Sequence, residues 1–80
     1  MEFYCDVLEH IAVLSKSGNL SKELNLISYN GGPPKLDLRS WWQRDDGRRQ
    51  MLKGVTLTDT EALKLLHALQ WLNENGGLPW

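Results

Sequence analysis

Two adjacent tryptophans, Trp41 and Trp42, sit inside the most basic stretch of this 80-residue chain. An indole left open on a β-strand offers a flat π-face on which an unpaired base can stack, worth ~1–3 kcal/mol per base, while nearby cations follow the phosphates. Paired bases in a duplex cannot present their faces in this way. From Lys35 to Lys53 the chain carries six basic residues (Lys35, Arg39, Arg44, Arg48, Arg49, Lys53) and three acidic ones. The remainder holds three basic and seven acidic residues, so the net charge of −1 conceals a segregated positive segment. A local field of this kind matters more to a polyanion than net charge does. The same residues also fit an ordinary solvated hairpin, with one indole under a helix and the other at a subunit seam, and composition leaves both readings open.

Covalent chemistry has less to work with. No local Ser-His-Asp or Cys-His arrangement is visible, and there is no GxxxxGK phosphate loop. Strand parity puts His10, five residues after Cys5, on the opposite strand face. Asp45 and Asp46 beside Gly47 read as turn formers. Cys5 reads as a small core hydrophobe, and His10 and His67 as surface residues. Cys5, His10 and His67 do not reproduce the paired spacings of a structural zinc site. The expectation is a protein that is not an enzyme, with no catalytic residues, no metal and no cofactor.

The elements that must position the tryptophans follow from local patterns. Lys35-Leu36-Asp37-Leu38-Arg39-Ser40-Trp41 alternates polar and apolar residues, as a half-buried antiparallel strand does. Leu36 and Leu38 face the core, and Lys35, Asp37, Arg39 and Trp41 face the other way. Two consecutive strand residues point to opposite faces, so Trp41 and Trp42 part company. Alternation with Arg39 favours Trp41 as the base-stacking residue. Asp45-Asp46-Gly47 supplies a hairpin tip, and Met51 to Leu57 returns, with Val55 and Leu57 pointing inward. Upstream, Asn30-Gly31-Gly32-Pro33-Pro34 breaks any regular element. Lys22 to Tyr29 fits a strand loosely, and Ser17-Gly18-Asn19 reads as a turn. The N-terminal segment is ambiguous. Phe3, Cys5, Val7, Ile11 and Val13 share a strand parity, while Tyr4, Val7, Leu8, Ile11 and Leu14 suit a helix nearly as well.

Thr58-Asp59-Thr60-Glu61 is a capping box that opens a helix. Ala62, Leu65, Leu66, Leu69 and Leu72 line one side of it, and Gly76-Gly77 ends it before Pro79. Leu63 and Trp71 fall off that stripe, so the helix carries more apolar surface than one sheet needs. A chain this short has a marginal core when alone, and one cysteine forms no intramolecular bridge. A homodimer across the helix is the simplest remedy. The alternative is a tail, Leu78 to Trp80, folded over the second helix face. No apolar run approaches the ~20 residues that cross a bilayer, and the N-terminus lacks the basic region of a signal peptide. A cytoplasmic protein is expected, with association to the nucleoid open.

The stretch from Lys35 to Leu66 resembles the positive cofactor four family of transcriptional coactivators, especially its bacterial YdbC-like branch. The resemblance is carried by Asp37-Leu38-Arg39-Ser40-Trp41-Trp42, a polar hairpin, and Lys53-Gly54-Val55-Thr56-Leu57-Thr58 leading into the helix. Upstream, Lys22-Glu23-Leu24-Asn25 and Ser28-Tyr29 are similar too, with tyrosine where tryptophan is typical. The hairpin from Gln43 to Gln50 is longer than in that branch and looks more like the eukaryotic form. The resemblance implies an α+β fold: a four-stranded, strongly curved antiparallel sheet, β-β-β-β-α, dimerised through its helices. It also implies single-stranded DNA lying along the two sheets of the dimer. Arg39, Lys53 and Trp42, or Trp41 in the other register, match ligand-contacting positions.

The expected whole is one nucleic-acid-binding domain spanning residues 1–80. It binds single strands without sequence preference, DNA or RNA, in support of transcription, replication or repair. Its site comprises Lys22, Lys35, Arg39, Trp41, Trp42, Arg48, Arg49 and Lys53. The rival reading is a dimeric adaptor that binds another protein and no nucleic acid.

Overall fold

The computed structural model describes residues 5–77. Four strands, β1 (Cys5–Ser17), β2 (Leu20–Tyr29), β3 (Lys35–Gln43) and β4 (Arg49–Leu57), precede one helix, α1 (Asp59–Glu74). The strands pair antiparallel in sequence order, β1-β2-β3-β4. The fold is the expected α+β arrangement, and the ambiguous N-terminal segment is a strand.

Between β2 and β3 the register runs unbroken from Leu20↔Trp42 to Ile27↔Lys35. The alternation of β3 therefore sorts the whole centre of the sheet into two faces. Ser21, Glu23, Asn25 and Ile27 share a polar face with Lys35, Asp37, Arg39 and Trp41. Leu20, Lys22, Leu24 and Leu26 share a leucine face with Leu36, Leu38, Ser40 and Trp42.

β1 is less regular. Register shifts between Val7/Glu9, His10/Ala12 and Val13/Ser15 each insert one extra residue. Val7, His10 and Val13 then sit opposite Ile27, Asn25 and Glu23, and Lys16 opposite Ser21. A period of two has become a period of three. His10 is consequently on the face of Cys5, correcting the opposite-face placement that simple parity gives. β4 begins two residues earlier than its apolar pattern indicates, at Arg49, and it bulges where Trp41 pairs with Met51 but Arg39 with Gly54.

Such bulges bend a sheet and raise its twist. The polar face has no helix over it among the described residues, yet Ile27, Asn25 and Asp37 are almost fully buried there. The curvature of the sheet and the packing of its own side chains produce that burial.

Glycine at position 54 follows from the bend. A Cβ there would collide with Arg39 Cβ and lie 2.5 Å from the carbonyl oxygen of Leu38. Gly54→Ala should therefore lower stability by about 1–3 kcal/mol, read as a lower urea midpoint. An unchanged midpoint would refute the close approach of β3 and β4.

α1 opens as the sequence indicates. Thr58 accepts from Glu61 N at 3.2 Å, and the Glu61 carboxylate accepts from Thr58 N at 2.9 Å. Asn75 caps the other end, and Gly76 takes a left-handed conformation at φ 69°. The helix barely rests on its own sheet. None of its residues is buried, and Leu66 is 50 % and Trp71 61 % exposed. Ala62, Leu65, Leu66 and Leu69 face Leu24 and Leu36 across an apolar hollow of about 490 Å³. Val55, expected to point inward, is on the leucine face opposite Leu38, but the helix leaves it exposed. Leu78 to Trp80, and Phe3 and Tyr4, lie outside the described residues.

Candidate nucleic-acid interface

β3 sends its two indoles to opposite faces, and they meet opposite surroundings. Trp41, on the Arg39 face, is 5 % exposed. The reason arrives from β4: the Arg49 guanidinium lies 4.6 Å above the Trp41 ring centroid, a cation–π contact. Arg49 is fixed in turn by the carboxylate of Glu23 on β2, at 2.6 Å. The indole left open is Trp42, 42 % exposed on the leucine face. Parity with Arg39 thus assigns the face of Trp41 correctly and its exposure wrongly, because the covering residue comes from another strand.

Glu23 anchors a buried polar cluster. It accepts from Ser21 Oγ at 2.7 Å and Asn25 Nδ2 at 3.3 Å, while His10 Nδ1 lies 3.2 Å from Asn25 Oδ1. Burial pushes the Glu23 carboxyl up, but the hydrogen bonds from Arg49, Ser21 and Asn25 outweigh it and hold the pKa at about 2. The folded value is below the ordinary 4.5, so this contribution to stability is complete above about pH 4.5. It is lost as pH falls towards 2. The urea midpoint should therefore drop across that window, and Glu23→Gln should flatten the drop. An identical pH profile in the variant would show that Glu23 is not the responsible group.

Arg39 is similarly committed. Its Nε and Nη2 donate to the two carboxylate oxygens of Asp37 at 2.6 and 2.7 Å, Nη2 also to Tyr29 Oη at 2.7 Å, and Nη1 to the Leu52 carbonyl at 3.1 Å. Thr56 Oγ1 donates to Asp37 at 3.2 Å. Hydrogen bonding to Asp37 raises the Arg39 pKa further. Breaking a buried pair of this kind typically costs 3–5 kcal/mol, so Arg39 in this arrangement ties β2, β3 and β4 together.

The remaining basic residues are open. Lys22 is exposed on the leucine face, opposite Ser40 and two positions from Leu20, the partner of Trp42. Lys53 is exposed at the β4 bulge, Lys35 at the start of β3, and Arg48 at the hairpin tip. At that tip Arg44 N donates to Arg48 O at 2.8 Å, and Gly47 adopts φ 85°. Gln43 N donates to Asn19 O at 2.8 Å, drawing the β1–β2 turn against the end of β3. Between these turns Asn19, Trp42, Arg44, Asp45, Asp46 and Gln50 line an open groove of about 650 Å³.

The eight residues picked out by sequence thus divide. Trp42, Lys22, Lys35, Arg48 and Lys53 are solvent-facing, whereas Trp41, Arg39 and Arg49 belong to the buried network. Sequence reasoning missed Glu23, Asn25 and Tyr29 as partners, although the parity of β2 would have put them beside Arg39. It also missed Gln50, which the pairing of β3 with β4 sets opposite Trp42, and Asn19, which the β1–β2 turn brings against the end of β3.

Residues 17–68, which run from the end of β1 into α1, match the family Transcriptional Coactivator p15 (PC4). The chain belongs to that family. A protein of Treponema pallidum (strain Nichols), described as uncharacterized, is 43 % identical over 65 residues, covering 80 % of this chain and 73 % of the relative. The PC4 match spans β2, β3, β4 and the capped start of α1. It therefore includes Trp42, Gly54 and the polar network apart from His10, and leaves out most of the bulged β1.

Proposed function

We propose that this PC4-family chain is a dimeric, single-domain binder of single-stranded nucleic acid, without enzymatic activity, and that Trp42 is its stacking residue. One observation carries the reading: of two adjacent indoles, one is sealed beneath Arg49 and the other is held open beside a groove. A large exposed aromatic flanked by Lys22, Arg44 and Arg48 has little to gain from folding and much to offer an unpaired base. Lys35, Lys53 and Arg48 would follow phosphates. Arg39, Arg49 and Trp41 would support the site from within by fixing the strand that bears Trp42. Support of transcription, replication or repair inside the cell is the corresponding role, and among the described residues no helix is long and apolar enough to cross a membrane.

The apolar surface of α1 favours a second copy of the chain as its cover, which absorbs the observation that would otherwise support an adaptor. The test is a salt-titrated comparison of single-stranded DNA, single-stranded RNA and duplex, read by tryptophan emission. Single strands should quench emission and duplex should not. Replacing Arg48 and Lys53 together with Ala should reduce the slope of log affinity against log salt by ~1.4 for single strands. Equal binding of duplex would remove the preference for unpaired strands and with it stacking on Trp42, and no binding of any strand would transfer the case to the adaptor.

A further inference from the structure

We propose that the hairpin-tip groove selects guanine from among the bases that stack on Trp42, an inference that rests on the single-strand reading above. Carboxylates beside a phosphate path weaken binding, so their presence next to the open indole calls for a function. Asp46 has a structural one: it accepts from Arg48 N at 2.9 Å and lies 3.7 Å from Arg44 Nε. Asp45 holds none of the hydrogen bonds or ion pairs that shape the tip. It is exposed and lines the groove with Trp42.

A carboxylate only accepts hydrogen bonds, so it discriminates among bases by their donors. Guanine presents two adjacent donors, N1–H and the N2 amine. Cytosine and adenine present one amine beside a ring nitrogen that accepts, and thymine presents one N–H between two carbonyls. Each of these three would set a lone pair against Asp45. On its other edge guanine carries O6 and N7, two acceptors that match a guanidinium, and Arg44 lines the same groove. Guanine is thus the base whose two edges complement both charges, with the Asn19 and Gln50 amides able to donate or accept beside them. The preference is superimposed on general single-strand binding, which needs only the indole and the cations.

Fluorescence anisotropy with three short oligonucleotides tests this: thymidine alone, thymidine interrupted by isolated guanines, and the same strand with inosine for guanine. Isolated guanines prevent the strands from associating with themselves. Each guanine should tighten binding about 5- to 10-fold, and inosine, lacking the N2 amine, should lose most of that gain. Asp45→Asn should bring the guanine-to-thymidine ratio close to one even if loss of the negative charge tightens all strands. Arg44→Gln should lower the ratio independently. Equal affinity of the wild-type protein for thymidine and guanine strands would overturn guanine selection, and a preference that survives Asp45→Asn undiminished would overturn its assignment to this groove's carboxylate, both while leaving single-strand binding intact. Failure to bind any of the three strands would instead remove the single-strand reading and this inference with it.

Discussion

Leu69→Asp is expected to abolish self-association and, with it, most of the folded population at micromolar concentration. The argument begins with α1, a helix of 16 residues with none of them buried. A helix of that length is marginal in water without tertiary packing, and this one borrows little from its own sheet. Its Leu63, Leu65, Leu66, Leu69 and Trp71 are all exposed, as are Leu8, Ile11 and Leu14 on β1. A second copy that buries the helical leucines, as proposed above, would supply the missing packing. An aspartate at position 69 would then carry an unpaired charge into the seam in place of a leucine whose removal alone costs about 2–5 kcal/mol. Wild-type protein should sediment at twice the chain mass, and the variant should sediment as a monomer with greatly reduced helical signal. A wild-type monomer that melts cooperatively, matched by an equally stable Leu69→Asp, would show that the leucine face needs no cover.

What could be read from the sequence, and what could not, has a consistent physical cause. The alternation of β3 was legible because no bulge interrupts its pairing with β2, so every second residue keeps its face from Lys35 to Trp41. The capping box at Thr58 was legible because both of its hydrogen bonds are local. β1 resisted because its three bulges replace a two-residue repeat with a three-residue one. Its apolar residues then fall at spacings close to those of a helix face. The fates of Arg39, Arg49 and Trp41 were illegible for another reason. Whether a basic side chain is free for phosphate depends on which carboxylate the neighbouring strand places beside it. Glu23 reaches Arg49 from 26 positions away in sequence, and nothing in the spacing of the basic residues indicates that pairing.

The same dependence makes the two tryptophans the sharpest test of the site, because neighbouring residues of one strand should fail in different ways when truncated. Trp42→Ala removes a half-exposed indole from the leucine face, so stability should move by only about 1 kcal/mol. Affinity for a thymidine oligonucleotide should fall by ~1–3 kcal/mol, the value of one lost stack. Trp41→Ala removes a buried ring of the kind whose loss costs ~3–5 kcal/mol. It also takes away the surface on which Arg49 lies, loosening the guanidinium that holds Glu23. Its binding defect should track the unfolded fraction and disappear when affinity is measured under conditions where the variant is fully folded. The two outcomes are separable because urea midpoints report one and anisotropy titrations the other. If Trp42→Ala binds single strands as tightly as the wild type, base stacking on this face is wrong, and the open indole has to be explained as part of a contact with another protein.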